Sequence, residues 1–146
     1  GGRSKIGLES TIVGLINGTQ ILRLGGIEIK KINKVLKTNL KYKPKNKILN
    51  VPGQFKTHYS PGIPIRMNAN KPRPGEAFIL IKKRKSSDKN FYYLSKKNNL
   101  KEAAKNLYKT LRMIKNKKFK KIAIEKIPNI GFGEAINDRI SRASKV

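Results

Sequence analysis

Asn17-Gly18 separates two apolar runs, Thr11–Ile16 and Thr19–Leu24, and it constrains the amino-terminal part of the chain more than any other feature. Asn-Gly between strand-like runs favours a type I′ hairpin, because that turn needs φ > 0 at both central residues. A two-residue turn also sets the register, with Ile16 opposite Thr19, Gly14 opposite Ile21, Ile12 opposite Arg23 and Ser10 opposite Gly25. Alternation then gives Thr11, Val13, Leu15, Leu22 and Leu24 a core-like face, and Ser10, Ile12, Gly14, Ile21 and Arg23 the other. Ser10 and Arg23 become diagonal neighbours, roughly 7–8 Å apart. A hydroxyl and a guanidinium beside the bare backbone of Gly14 and Gly25 could hold a small anionic ligand. An ordinary hairpin with an exposed arginine has the same pattern.

Gly25-Gly26 turns the chain out of the hairpin. Ile29, Ile32, Val35 and Leu36 follow at helical spacing and predict a short amphipathic helix over Glu28–Lys37. Glu28 suits its positive end, and Lys34 and Lys37 its negative end. Thr38–Asn46 is polar and basic and reads as a loop. Six of the seven prolines lie between Pro44 and Pro74. Proline fixes φ, removes a donor and pushes the preceding residue toward extended backbone, so Val51–Pro74 is predicted to be a non-helical linker. A plain spacer has little use for the cluster Thr57-His58-Tyr59-Ser60-Pro61. Either these side chains pin the linker to a domain surface, or the linker closes over a pocket and Tyr59 contacts the ligand.

From Gly75 the pattern changes. Ala77–Ile81 is a continuous apolar run, as expected of a strand buried on both faces. Phe91–Leu94 is a second strand. Leu100, Ala103, Ala104, Leu107, Leu111 and Ile114 predict a helix over Leu100–Lys115, capped by Asn99 or Ser95. Ile122–Ile124 is the next strand, and Glu134–Ser144 a last helix with Ala135, Ile136, Ile140 and Ala143 inward. This order predicts a small α/β domain with a largely parallel sheet. The expected division is a hairpin–helix unit over 1–50, a linker over 51–74 and the α/β domain over 75–146.

Composition narrows the chemistry. There is no cysteine and a single histidine, so a disulfide framework and a thiol nucleophile are excluded, and a transition-metal site is disfavoured. No run approaches the ~18–20 apolar residues of a membrane span, and no secretory signal opens the chain, so a cytoplasmic protein is expected. The first residue is not Met and the hairpin begins almost at once, as in a piece of something longer. The formal charge of +27 invites a nucleic-acid partner. The lysines are spread along the chain, without interleaved aromatic platforms. Lys, Asn and Ile also share A/T-rich codons, so a biased genome could produce this composition without selection for RNA. Weak nonspecific nucleic-acid binding at low salt is the expectation.

Three segments together resemble one family. Glu9-Ser10-Thr11-Ile12-Val13, followed by Ile21-Leu22-Arg23-Leu24-Gly25-Gly26, is similar to the closing motif of the catalytic domain of Sua5-type threonylcarbamoyl-AMP synthases. Pro52–Pro61 resembles their interdomain linker. Asn99–Leu111 with Ile130–Arg139 resembles their carboxy-terminal domain. The resemblance implies an α/β fold: the last hairpin and helix of a YrdC-like catalytic domain, a Pro-rich linker, then a small Rossmann-like domain. It implies formation of threonylcarbamoyl-AMP from L-threonine, bicarbonate or CO₂, and ATP with Mg²⁺, for later transfer by other proteins to adenosine 37 of tRNA. Ser10 and Thr11 would then hold threonine, and Arg23 and Tyr59 the nucleotide, with His58 as a linker contact. Leu24 and Gly14 depart from the family's usual residues. The family's amino-terminal ATP-binding half has no counterpart in this sequence, so the chain alone is expected to be inactive. A noncatalytic basic module that binds RNA or a protein partner is the alternative reading.

Overall fold

The computed structural model describes residues 6–16, 18–43, 60–85 and 88–144. Two strands come first, β1 (Ile12–Gly14) and β2 (Gln20–Arg23), then the helix α1 (Ile29–Leu36). Then come β3 (Ile65–Arg66), β4 (Glu76–Lys82), β5 (Phe91–Ser95), α2 (Leu100–Asn116), β6 (Lys121–Ile124) and α3 (Phe132–Ala143).

β1 and β2 pair antiparallel. Ile12 opposes Arg23 as the sequence predicts, but Val13 then opposes Ile21 and Gly14 opposes Gln20. Leu22 is therefore the extra residue of a β-bulge, and the register expected from a two-residue turn holds only on one side of it. Asn17 lies outside the described residues. The bulge also corrects the expected faces. Ile21 and Leu24 are three residues apart, yet both are 4% exposed, whereas Leu15 is 76% exposed. Strict alternation cannot survive an inserted residue, so the Ile21 and Arg23 side of β2 turns to the core.

α1 runs from an extended Glu28 to Lys37, whose left-handed backbone (φ 51°) ends the helix. It buries Ile29 and packs Ile32 partly, while Val35 is 80% exposed. Half of its predicted apolar stripe is thus uncovered.

The second sheet has the order β3-β6-β4-β5, and all its pairings are parallel. This is the parallel α/β arrangement that the strand–helix order predicts, and the Rossmann-like domain that the resemblance implies. β4 is buried along Glu76–Ile81. Ala77, Ile79 and Ile81 join the cluster that holds Leu107, Leu111, Ile136 and Ile140 of α2 and α3. Phe78 and Leu80 pack on the opposite face with Ala69 and Ala123, and Phe91 meets Phe78 edge to face with 5.4 Å between centroids. Both candidate caps of α2 are used. Asn99 Oδ1 accepts the Glu102 amide at 3.0 Å, and Ser95 Oγ accepts the Asn99 amide at 2.9 Å while donating to Glu102 Oε2 at 2.6 Å.

Two findings correct the expected boundaries. Ile65–Arg66 lies inside the stretch read as linker, yet it is a sheet strand pairing with Ile122 and Ala123. Pro64 directly before it is tolerated because β3 is an edge strand, and its carbonyl accepts the Ile122 amide at 2.9 Å. The core is also undivided: Leu8, Ile21, Leu24 and Ile29 belong to the same apolar cluster as Leu107 and Ile136. The segment entering the hairpin lies directly on α2. A Cβ on Gly7 (φ +73°) would sit 2.6 Å from Lys105 Cα. A unit this small gains little core of its own and buries its apolar side against the helices instead.

Candidate functional site

The base of the hairpin forms a tight corner. Glu9-Ser10-Thr11 runs beside Arg23–Gly26, and the Gly26 amide donates to Glu9 O at 2.8 Å. A Cβ on Gly25 would lie 2.3 Å from Glu9 O and 2.5 Å from Thr11 N, so a residue with a side chain cannot sit there without moving backbone. Into this corner folds Arg23, only 7% exposed. Its Nε and Nη2 donate to Ser10 O at 3.0 and 2.9 Å, and Nη2 also reaches Ser10 Oγ at 3.1 Å. The two residues are in direct contact, closer than a diagonal pair requires. The guanidinium fork is held by a carbonyl, which fixes its plane.

Thr11 stands beside them with its hydroxyl engaged by the backbone. Oγ1 donates to Ile27 O at 2.8 Å and accepts the Ile27 amide at 3.0 Å. The structure thus gathers Ser10, Thr11 and Arg23 in one place. His58 and Tyr59 lie outside the described residues. The first described residues of the linker, Ser60 and Pro61, line a cleft of about 330 Å³ with Glu9, Tyr108, Leu111, Arg112 and Lys115. This part of the linker therefore comes down beside the hairpin corner.

A second cluster escaped the reading of the sequence. Arg139 on α3 is 1% exposed. Its Nη2 donates to Leu24 O at 2.6 Å and to Glu9 Oε2 at 3.1 Å, its Nε to Glu9 Oε2 at 3.2 Å, and its Nη1 to Asp138 Oδ2 at 2.6 Å. Arg142 Nη2 donates to Asp138 Oδ1 and to Tyr42 OH, both at 2.9 Å. Burial, and then the Asp138 charge, raise the Tyr42 phenol above its ordinary value, so it is a neutral donor at any physiological pH. The signal was present in the sequence. Arg139 falls three residues after Ile136 and one before Ile140, on the inward face of a helix. An arginine there has to find anions or carbonyls.

Beyond these, burial and then the neighbouring Glu28 raise the Glu134 carboxyl at the start of α3. Among the described residues no group of three or more His, Cys, Asp or Glu side chains could hold a metal ion. No described helix is long and apolar enough to cross a membrane.

A parallel four-stranded sheet with two helices, sharing one core with a bulged two-stranded hairpin, defines a Rossmann-like α/β protein. Residues 27–145 match the C-terminal domain of threonylcarbamoyl-AMP synthase, and the chain belongs to that family. The fold is similar to that of P. abyssi Sua5 complexed with L-threonine, with a TM-score of 0.77 and 25% identity over 99% of this chain and 48% of that one. A doubly substituted variant of P. abyssi Sua5 is also similar, with a TM-score of 0.65 and 23% identity over 96% of this chain and 44% of that one. The chain therefore spans about half the length of these structures. A search of curated proteins found no match.

Proposed function

We propose that this chain is the carboxy-terminal part of an L-threonylcarbamoyladenylate synthase acting in the threonylcarbamoyl modification of tRNA adenosine 37. The observation that carries the proposal is the Ser10–Arg23 corner, the residues of the family's closing motif held in contact beside the linker residues Ser60 and Pro61. Ser10 would hold the threonine moiety, and Thr11 would keep the strand in place through Ile27. Arg23 would face the nucleotide phosphates, and Tyr59, with His58 beside it, would reach the nucleotide from the linker. ATP is a substrate, and Mg²⁺ arrives with its phosphates. The similarity to a Sua5 that binds L-threonine supports threonine as the amino acid.

The chemistry suits such a wall. The threonine amine and CO₂ form a carbamate, whose oxygen attacks the α-phosphorus of ATP. The bond to the β,γ-phosphates breaks, and pyrophosphate leaves. Negative charge gathers at the α-phosphate, so a guanidinium with a fixed plane lowers the barrier without reorganising.

Among the described residues β1 and β2 pair only with each other, which leaves sheet edges for further strands to extend. One wall does not hold reactants in near-attack geometry, so the chain alone is proposed to be inactive. The test is pyrophosphate release dependent on threonine, bicarbonate and ATP. The expected result is no turnover by the 146-residue chain. Turnover should appear once an amino-terminal catalytic half is supplied and be lost again on Arg23→Ala. Turnover by the chain alone would overturn the proposal of dependence on that half. Salt-sensitive tRNA binding with no response to ATP or threonine would favour the noncatalytic reading.

A further inference from the structure

We propose that Arg139 of α3 is a positioning residue for the Ser10–Arg23 corner, so that the accessory domain sets the shape of the ligand wall. The inference rests on the reading of that corner as the wall. One guanidinium spans both strands of the hairpin at its base. Nη2 donates to the carbonyl of Leu24, the residue after Arg23, at 2.6 Å. Nη2 and Nε donate to the carboxylate of Glu9, the residue before Ser10, at 3.1 and 3.2 Å. Arg23 and Ser10 thus each sit one peptide from an atom that Arg139 holds, and the third side of the guanidinium is fixed by Asp138.

The geometry excludes a looser role. Arg139 is 1% exposed, so its charge is balanced by these partners rather than by water. The Glu9 backbone is fixed independently, through its carbonyl and the Gly26 amide, which leaves the Glu9 carboxylate to receive Arg139. α3 belongs to the domain of the parallel sheet, from which the Tyr108 hydroxyl of α2 adds only a longer bond, to Glu9 Oε1 at 3.5 Å. A shift of α3 would therefore reach Ser10 and Arg23 through this residue. It would change how well threonine is bound without removing a group that touches it.

The experiment uses this chain together with the amino-terminal catalytic half that the proposed function calls for. Threonine-dependent pyrophosphate release is measured for Arg139→Met, Arg139→Lys, Glu9→Gln and the double variant Glu9→Gln/Arg139→Met, with Ser10→Ala and Arg23→Ala as references. Misplacing a binding group costs on the order of tenfold to a hundredfold, so Arg139→Met should raise the KM for threonine by about tenfold and change kcat far less. Glu9→Gln should act in the same direction, and the double variant should be no worse than Arg139→Met, because the Glu9–Arg139 contact that Glu9→Gln weakens is already gone there. Arg139→Lys should recover part of the loss. If Ser10→Ala and Arg23→Ala weaken threonine use but Arg139→Met leaves KM unchanged, or if the two changes add fully, the positioning role is wrong and the wall stands. If Ser10→Ala and Arg23→Ala leave turnover intact, the wall itself is wrong and the positioning role falls with it. A folding defect is separated by amide hydrogen exchange on Arg139→Lys. Faster exchange at Gly26 and Ile27 with unchanged β4 and β6 supports the proposal, and unchanged Gly26, or a uniform rise through β4 and β6, overturns it.

Discussion

Tyr42 OH donates to Asp138 Oδ1 at 3.1 Å, joining residues 96 positions apart at the point where the chain leaves α1 for the linker. The same hydroxyl accepts from Arg142, which grips Asp138 four residues away on α3. Tyr42→Phe removes both bonds and leaves the Asp138 carboxylate and Arg142 short of a partner. We expect a loss of about 1–3 kcal/mol in urea unfolding, the range for a hydrogen bond to a charged group. The raised Tyr42 pKa adds a second signature. Its contribution is complete below the ordinary phenol value of 10.0 and fades as pH climbs through the higher folded value. In an ultraviolet titration one tyrosine should ionise late, and that late phase should vanish in Tyr42→Phe.

Glu76 governs the acid side. The Arg66 side chain, against burial, holds its carboxyl below the usual 4.5, with the Arg73 amide helping. A depressed carboxylate contributes stability above its unfolded value and loses it as pH falls through the ordinary range toward the lower folded value. Thermal unfolding from pH 6 downward should show a falling midpoint. In Glu76→Gln the midpoint should be lower at pH 6 and the fall shallower. A slope as steep as that of the parent chain would mean that other carboxylates carry the acid response.

Gly25→Ala should be the most damaging small change in the hairpin. The added methyl meets backbone atoms of Glu9, Ser10 and Thr11, all within 2.5 Å, and backbone cannot rotate aside. Overpacking of this kind costs about 1–3 kcal/mol, and here it also displaces the Ser10–Arg23 contact. Gly14→Ala meets only the end of the flexible Leu22 side chain, at 2.8 Å, and should cost less. Denaturant midpoints of the two variants, compared directly, check the order.

Asn99→Ala tests the helix cap. It removes the acceptor for the Glu102 amide and should cost about 1 kcal/mol. Ser95 still holds the Asn99 amide and Glu102, so a double variant with Ser95→Ala should lose more than the two single losses together. Unfolding monitored by circular dichroism at 222 nm measures each.

Periodicity carried the α/β half of the fold. The apolar run at Ala77–Ile81, the stripe of α2 and both cap candidates are local signals, and each appears in the structure where it was read. β3 was hidden because two residues between Pro64 and Met67 have no period to detect. The bulge at Leu22 was hidden because alternation assumes an unbroken ladder, and nothing in Ile21-Leu22-Arg23 announces an inserted residue. Ser10 and Arg23 could be paired from the register, since Ile12 and Arg23 do oppose each other. Arg139 could be flagged as an arginine on an apolar face, but its partners could not. Glu9 lies 130 residues away in sequence, and only the fold brings it near.

That separation has a consequence for how the protein is made. Glu9 emerges from the ribosome long before Arg139, and at 5–20 residues per second the wait is on the order of ten seconds. During it the hairpin can close locally, but its carboxylate and the Leu24 carbonyl remain in water. β6 completes the sheet only after β4, β5 and α2 are made, and α3 follows β6. The corner that holds Ser10 and Arg23 is therefore finished only once α3 has been synthesised, and a ribosome stalled before residue 139 leaves it open.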